Sequence, residues 1–564
     1  MPRSFPAVRR VAWWLLLATL ALLPFESWLP QIPAGHFTVT TLEAVWGLAI
    51  LVWLASLVLE RHLPRLPLPV LGALVALLLI NLASAILADG DRSDALVFVG
   101  RSAAGWLLFL AVADSVRDVG GLRAALRTIV VAAAVSAVLG LLLLIVTSLS
   151  PQLGLRVFYA AGAARLTGTF DYPNIAAMAY EASALLGLGL IALDWRRRPR
   201  LVWIEISFVA LITLAMMLTL SRGAAVGGAV GLLTVAVLAF LAQRRRLAGA
   251  LTVGAVMVVV ATLLVQVAVA PIQRLLTDAE QGIYGATYEA PAAATTSGGT
   301  ASITVRVTNT GSLTWNVPGA DRFQLGYHLL NPGTTSVLAD GSAKFPLGSV
   351  APGQTATTNA TITEPDPNVT YDIAWDVVRN GYAWFSDRGV AVATTRVGAQ
   401  VAGAPPPTGT AGLIQLDTSE IGPTRTELWS AATKMILDRP VLGVGPGTYR
   451  LRYAGYIGLG PSAVETHSNN LYLQLAAETG ILGLLAFLVV VVLAVAPLVR
   501  RLLERPAAAL GAPASTRTWI VGAALVAAVA AFLGHGTVDY FFAFNPTNGL
   551  WWATLGLVLA APTE

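Results

Sequence analysis

The chain has 564 residues, of which 56% are hydrophobic and only 12% are charged. Because soluble proteins usually carry about 25% charged residues, this composition excludes an ordinary soluble enzyme and a disordered chain. It predicts a membrane protein with many spanning helices. The chain contains no cysteine, which excludes disulfides, thiolate metal sites and a cysteine nucleophile. We relate the formal net charge of +5 to membrane orientation and not to a nucleic-acid partner.

Twelve apolar runs of about 20 residues predict transmembrane helices. They lie near residues 10–28, 38–59, 66–88, 95–116, 121–147, 172–194, 199–220, 223–242, 248–270, 470–498, 517–536 and 546–562. The first run lacks a convincing cleavage site, so we interpret it as a helix and not as a signal peptide. We therefore predict an all-α polytopic membrane protein with about 12 transmembrane helices.

Arginines cluster in alternate loops of this arrangement. The clusters lie near residues 61–65, 117–127, 196–200, 244–246 and 500–517. The positive-inside rule places these loops in the cytoplasm. Both termini are then cytoplasmic, and the long segment 271–469 faces the outside.

The outward segment contains a β-rich insert at residues 290–400, where turn signals separate short stretches of alternating residues. This spacing predicts a β-sandwich with Trp315, Trp375 and Trp384 in its core. The pattern resembles Ig-like modules of bacterial surface proteins, which could bind carbohydrate or act as a spacer or protein-contact module. We assign residues 1–289 and 470–564 to the membrane domain and 401–469 to an outer helical loop.

Two outward arginines are not explained by topology. The apolar run 201–242 is long enough for two helices, so the chain must turn near Arg222, which then lies at the outer membrane face. Arg222 could reach for lipid headgroups, or its planar fork could pair two oxygens of a diphosphate. Arg165 precedes a helix whose first turn suits Pro173. The segment from Arg165 to Asn174 is either a simple helix start or a second phosphate-binding element.

A third candidate lies at the start of the tenth apolar run. His467 precedes Ser468 and Asn469, either of which could cap the following helix. The positive end of a helix favours the neutral form of a histidine beside it. A neutral histidine could act as a general base, although His467 could also be an ordinary surface residue. Glu478 lies inside this helix, where an ionisable group could hold a helix, pair with an arginine or contact substrate.

Three other patterns have simpler alternatives. The glycine-rich run 443–447 could form a phosphate-binding nest or a tight turn, and it lacks the Lys-Ser/Thr ending of a nucleotide-binding P-loop. The sequence Asp89-Gly90-Asp91 has the Asp-x-Asp form of some metal-using glycosyltransferases, but it is also typical of a turn. His535 and Asp539 stand four residues apart, which favours a structural pair over metal ligation.

Four stretches together carry a family resemblance. They are "ARLTGTFDYPNIAAM", "LTLSRGAAVGG", "TELWSAATKMILDRPVLGVGPGTY" and "ETHSNNLYLQLAAETGILGLLAFL". In this order the chain resembles the O-antigen ligase and polymerase superfamily, apart from the insert at 290–400. The resemblance implies transfer of a glycan from an undecaprenyl diphosphate carrier, on the outer face of the bacterial plasma membrane, to a lipid-anchored saccharide, a growing polymer or a protein. It implies no nucleotide, metal or other cofactor.

The resemblance also implies residue roles. Arg222 and Arg425 would hold the diphosphate, with Arg165 as a weaker third residue, and His467 would assist the acceptor hydroxyl or orient the leaving diphosphate. We therefore predict His467, Arg222 and Arg425 as catalytic residues. The predicted substrate-binding residues are Arg165, Asn174, Asn470 and Glu478.

Two rival functions come from other classes. A transporter or flippase of the lipid-linked saccharide would also need many helices, but it should have internal repeats and broken helices near the midplane. We find no convincing repeat in the sequence. A surface-binding or sensory protein would use the insert as its working part, and twelve helices are excessive for an anchor.

Overall fold

The structure is a computed structural model. It describes residues 7–34, 37–61, 63–64, 66–88, 91–149, 158–160, 163–195, 197–242, 244, 248–249, 252–254, 256–257, 260–265, 268, 284–297, 299–316, 323–330, 333–341, 343–363, 370–379, 383–398, 412–416, 425–457, 466–504 and 513–561.

Helices make up most of the described residues. The α-helices are α1 Ala7–Leu22, α2 Thr41–Leu59, α3 Leu68–Ile86, α4 Arg92–Ser115, α5 Val119–Leu149, α6 Pro173–Asp194, α7 Pro199–Leu218, α8 Arg222–Leu241, α9 Arg425–Asp438, α10 Tyr449–Tyr456, α11 Leu471–Glu504, α12 Pro513–His535 and α13 Asn545–Leu559. Short 3-10 helices cover Leu23–Trp28 and Ser386–Arg388. Ten helical segments among the described residues are long and apolar enough to cross a membrane, which supports a multi-pass membrane protein.

Local sequence explains where several helices begin. Thr40 and Glu43 form a reciprocal capping box at the start of α2. Pro173 and Pro199 occupy the first turns of α6 and α7, where a missing N–H costs nothing. Helix α6 is almost entirely buried, because α5, α7, α8 and α12 surround it. It is therefore the central helix of the bundle.

The predicted number of twelve spanning helices is not confirmed. The ninth predicted span, 248–270, lies largely outside the described residues. The twelfth corresponds to α13, whose 15 residues rise about 22 Å, less than the thickness of a bilayer core. Trp551 and Trp552 of α13 are almost fully buried, so its apolar sequence reflects packing inside the bundle.

Eleven of the described strands form a β-rich region between the bundle segments. They are β5 Ala286–Glu289, β6 Ala293–Ala294, β7 Thr300–Asn309, β8 Phe323–Leu330, β9 Val337–Asp340, β10 Phe345–Pro346, β11 Thr355–Thr363, β12 Tyr371–Arg379, β13 Ala383–Trp384, β14 Val392–Val397 and β15 Leu413–Ile414. One sheet has the order β10-β8-β12-β14-β15, with β9, β13 and β6 paired at its sides, and a second has the order β11-β7-β5. The antiparallel β7–β11 ladder pairs Thr308 with Thr355. Elsewhere the described strands form two short hairpins, β1 Gln31–Ala34 with β2 Phe37–Thr40, and β3 Phe158–Ala160 with β4 Ala163–Arg165.

The two larger sheets share one hydrophobic core. Trp315 and Trp375 are fully buried in it, as predicted. Trp384 is not part of this core, because its ring packs over His328 with centroids 4.3 Å apart. Strands β5 and β15 lie outside the predicted limits 290–400, so the sheets extend beyond both ends of that range. The Ig-like relationship stays a prediction.

Candidate functional site

The turn before α8 carries Arg222 at one end of the bundle. Leu220 has a left-handed backbone with φ of 55°, which costs about 1–2 kcal/mol for a residue with a side chain. The turn is held from outside by Arg165, whose Nε donates to the Thr219 carbonyl at 2.7 Å. Arg165 Nη2 also donates to Asn174 Oδ1 at 2.6 Å. The predicted substrate-binding pair Arg165–Asn174 therefore supports the turn that presents Arg222.

Arg222 is the exposed first residue of α8. Within the described part of the chain it makes no ion pair or hydrogen bond, so its fork is available to a ligand. It lies beside the N-terminal N–H groups of a 20-residue helix, which also favour an anion. Arg425 starts α9, and its charge lies within electrostatic reach of His535.

His535 touches the same turn. A Cβ atom built on Gly223 would lie only 2.4 Å from His535 Nε2, so this glycine lets α8 rest directly on the histidine ring. His535 is the last residue of α12, and it therefore brings Arg425 and the Arg222 turn to one place. The imidazole Nδ1 pairs with Glu181 of α6 at 2.9 Å, so the predicted structural partner Asp539 is replaced by Glu181.

His467 lies in an aromatic enclosure. Its ring centroid is 5.2 Å from that of Tyr540 and 6.0 Å from that of Phe544. Burial, reinforced by the Arg450 charge, lowers the pKa of His467 to about 4, so the imidazole is neutral at physiological pH. Its Nδ1 and the Tyr540 hydroxyl are both buried, and neither has a hydrogen-bond partner among the described residues. Two unsatisfied polar atoms in one enclosure can bind the hydroxyl groups of a ligand.

The segment 535–544 links His467 to the Arg222 turn. His535 contacts Gly223 at one end of this segment, and Tyr540 contacts His467 further along. Between them, the Gly536 carbonyl accepts the Leu471 N–H at 2.7 Å, which anchors the start of α11. One connected layer at a single end of the bundle therefore carries two arginines and a neutral histidine.

Glu478 is enclosed by the glycine-rich run. Its carboxylate Oε1 accepts the Tyr449 N–H at 3.3 Å and the Gln474 side chain at 2.8 Å. Its backbone carbonyl accepts the Gly445 N–H at 2.9 Å. Within the run considered as a phosphate nest, the Gly445 N–H thus binds a backbone carbonyl of the same chain, and the Tyr449 N–H just beyond the run binds the carboxylate. Glu478 holds the loop in place in this structure.

Helix α11 is broken where this loop meets it. Gly480 has φ of 69°, and a Cβ atom there would lie 2.0 Å from the Val441 carbonyl oxygen. The freed Ile481 N–H donates to the Pro440 carbonyl at 2.9 Å, so the loop satisfies the backbone at the break. Gly443 similarly presses on the Glu478 backbone with φ of 68°. Glycine is required at both positions, because a side chain there would clash with the backbone of the neighbouring segment.

Residues 382–488 match the family model described as O-Antigen ligase. This stretch is therefore similar to the O-antigen ligase family. The match includes α9, the glycine loop, His467 and the first half of α11, and it confirms the predicted relationship to that superfamily. No curated protein matches the chain. In a chain with many candidate spanning helices, this similarity indicates a membrane protein with a glycosyl-transfer function, and it implies the bilayer and a lipid-linked saccharide as partners.

Asn470, within the matched region, has a structural role in place of the expected substrate contact. Asn470 caps α11, because its Oδ1 accepts the Tyr472 and Leu473 N–H groups at 3.0 Å; the expected caps, Ser468 and Asn469, do not do so. Its side-chain amide donates to the Thr537 carbonyl. Asn470 therefore positions the histidine segment.

The Asp-x-Asp sequence is only partly visible in the structure. Asp89 and Gly90 lie outside the described residues. Asp91 accepts a hydrogen bond from Arg452 Nε at 2.8 Å, which ties α10 to the start of α4. Among the described residues there is no group of three or more His, Cys, Asp or Glu side chains placed to hold a metal ion.

Sequence reasoning missed Tyr540, Arg450 and Glu181. Tyr540 follows an apolar helix without a local motif, and Arg450 lies in a helix that was not predicted. Glu181 lies 354 positions before its partner His535, so no spacing rule connects them. An acidic residue inside a predicted spanning helix was the available signal for Glu181.

Proposed function

We propose that this protein transfers a glycan from an undecaprenyl diphosphate carrier to a saccharide acceptor on the outer face of the bacterial plasma membrane. The acceptor would be a lipid-anchored saccharide or a growing polysaccharide. The observation that carries the proposal is the connected layer in which the exposed Arg222 and the neutral His467 lie at the same end of the bundle. The arginine pattern of the loops supports cytoplasmic termini and an outward site.

The reaction would break one bond and form another at the anomeric carbon. An acceptor hydroxyl oxygen attacks this carbon while the bond to the diphosphate oxygen breaks. Undecaprenyl diphosphate leaves, and the hydroxyl proton passes to the neutral His467. Arg222 and Arg425 stabilise the negative charge that develops on the leaving diphosphate. A direct displacement of this kind inverts the anomeric configuration.

Transfer with purified components tests this function. We expect Arg222→Ala and His467→Ala each to lower the rate of glycan transfer by at least about 100-fold, because each removes charge stabilisation or proton transfer. Arg101→Ala is the matched control, since Arg101 is exposed and pairs with Glu43 near the same end of the bundle. Full activity of both site variants, with normal membrane insertion, would contradict the assignment.

The break in α11 gives the rival transport function one supporting observation, because transporters use broken helices. Here the break is filled by residues 440–445 of the same chain. The same assay separates the two functions. Transfer releases free undecaprenyl diphosphate, whereas a flippase moves the intact lipid-linked saccharide. Replacement of the saccharide acceptor by a protein acceptor tests the protein-glycosylating alternative of the same superfamily.

A further inference from the structure

Two ionisable side chains meet inside the helix bundle without a role in the reaction described above. Glu181 of α6 and His535 of α12 form a pair at 2.9 Å, and both side chains are almost fully buried. Burying ionisable groups in a membrane protein is costly, and an apolar pair would pack as well. The pair therefore requires an explanation beyond packing.

Helix α8 rests directly on this pair. Gly223 and Gly227 lie one turn apart on α8. A Cβ atom on Gly223 would lie 2.4 Å from His535 Nε2, and one on Gly227 would lie 2.2 Å from Glu181 Oε1. A side chain at either position would force α8 or the pair to shift. The position of the neighbouring Arg222 is thus set by contact with Glu181 and His535.

One polar atom of the pair has no hydrogen-bond partner among the described residues. This atom is the buried His535 Nε2. It lies under the N-terminal turn of α8, whose first N–H groups have no intrahelical partners and whose N-cap residue, Ser221, provides no side-chain cap. The charge of Arg425 acts on the same imidazole. Donor groups from α8 and α9 therefore lie near one histidine.

We propose that the Glu181–His535 pair is a positioning element of the donor site, which fixes the first turn of α8 so that Arg222 lies opposite Arg425 and the two bind a lipid-linked diphosphate. The identity of this ligand rests on the proposed function. The hydrogen bond between the Glu181 carboxyl and His535 Nδ1 fixes the ring orientation, and the ring in turn supports Gly223. The pair acts through Arg222 and does not enter the reaction itself.

Equilibrium binding of undecaprenyl diphosphate to the full-length protein in detergent tests the proposal. Gly223→Ala crowds the contact between α8 and His535 while keeping both residues of the pair, and Glu181→Gln removes the carboxyl group while keeping the shape of the side chain. We expect each to raise the dissociation constant by about 10-fold or more. Gly231→Ala is the matched control, because it crowds the same helix two turns deeper, against Leu185 and the Ala527 carbonyl. We expect it to change the dissociation constant by less than about 3-fold.

A double-mutant cycle separates positioning from general loss of structure. If Gly223 acts through Arg222, then Gly223→Ala has no further effect on binding in an Arg222→Gln background. In turnover, the same change should raise KM for the donor more than it lowers kcat. Additive effects, or equal binding by wild type and all variants, would overturn the positioning role alone. A wild type that does not bind undecaprenyl diphosphate would instead overturn the proposed donor and the ligand named here.

Discussion

His467 illustrates how a single residue acquires a functional protonation state. Burial is the main cause of its lowered pKa, and the Arg450 charge adds to it. The sequence alone attributed a neutral form to the adjacent helix end. The structure replaces that cause with the Tyr540 and Phe544 enclosure, but it reaches the same neutral form.

This pKa predicts an unusual acid limit for activity. A base must be unprotonated, and His467 is unprotonated above about pH 4. We expect kcat/KM to hold as pH falls through 6.5 and to decline only towards pH 4. Arg450→Gln should move this limb upward by less than one pH unit, because burial remains. The pH profile of transfer checks this, and an acid limb near 6.5 in the wild type would argue against His467 as the base.

The sequence predicted some of these residues because they were anomalies. Arg222 stood out because topology provides no reason for an outward arginine, and His467 because it immediately precedes an apolar run. The contacts of the other predicted site residues could not be predicted. Arg165 binds a carbonyl 54 positions away, and Glu478 binds an amide 29 positions away. Such contacts depend on how helices pack, which local spacing does not encode.

At the scale of elements, the sequence pattern predicted whether a segment is a strand or a helix better than it predicted where that element begins and ends. Strand β7 alternates buried and exposed residues over 300–309, so the alternation at 303–307 indicated a real strand. The break in α11 was not predicted, because Gly480 lies within a continuous apolar run and glycine is tolerated in such helices. Its φ is set by the approach of Val441 from another segment.

The β-rich region contains a pH-sensitive bridge between strands. His328 on β8 contacts Asp340 at 2.8 Å and Asp376 at 3.2 Å. Burial alone would lower the pKa of His328, but the hydrogen bonds and charges of the two carboxylates outweigh it and raise the pKa to about 9. Because the folded pKa exceeds the usual value of 6.5, the bridge stabilises fully below pH 6.5 and loses its effect as pH rises through 9.

We therefore expect the β-rich region to weaken between pH 7 and about 9.5, by at most roughly 3 kcal/mol. Hydrogen exchange of peptides from β8 and β12 in the full-length protein, corrected for the intrinsic pH dependence, measures this. His328→Gln should lower protection at pH 7 and remove most of its pH dependence. Equal protection of wild type and variant across this range would rule out a stabilising charge on His328.

At the scale of the whole molecule, the charges that topology assigned to cytoplasmic loops have a second role. Arg9 pairs with Glu60 and Asp114, and Arg123 and Arg127 pair with Asp194. The second cluster joins the start of α5 to the end of α6, and the first joins the start of α1 to the end of α4, so both lie at the end of the bundle opposite to the Arg222 turn. One end of the bundle thus has arginines neutralised by carboxylates, whereas Arg222 at the other end has no such partner in the described part of the chain.

The cores predict which part of the chain can be removed. The membrane helices and the β-rich region have separate hydrophobic cores, and the latter includes Tyr284 at one limit while Leu416 packs against it at the other. We expect deletion of 284–416, replaced by a flexible linker, to leave a monodisperse bundle in detergent. Deletion of 290–400 should instead cause aggregation, because it leaves β5 and β15 without sheet partners and exposes unpaired strand edges.

Size-exclusion chromatography of the two deletion variants distinguishes these outcomes. The shorter deletion removes fewer residues, so a general intolerance of shortening would harm the longer deletion more. If the sheets extend over 284–416, the shorter deletion should be the more harmful one. The strand residues that remain after it have lost the surfaces against which they pack. Aggregation of the 284–416 variant alone would mean that the bundle depends on the β-rich region for its own stability.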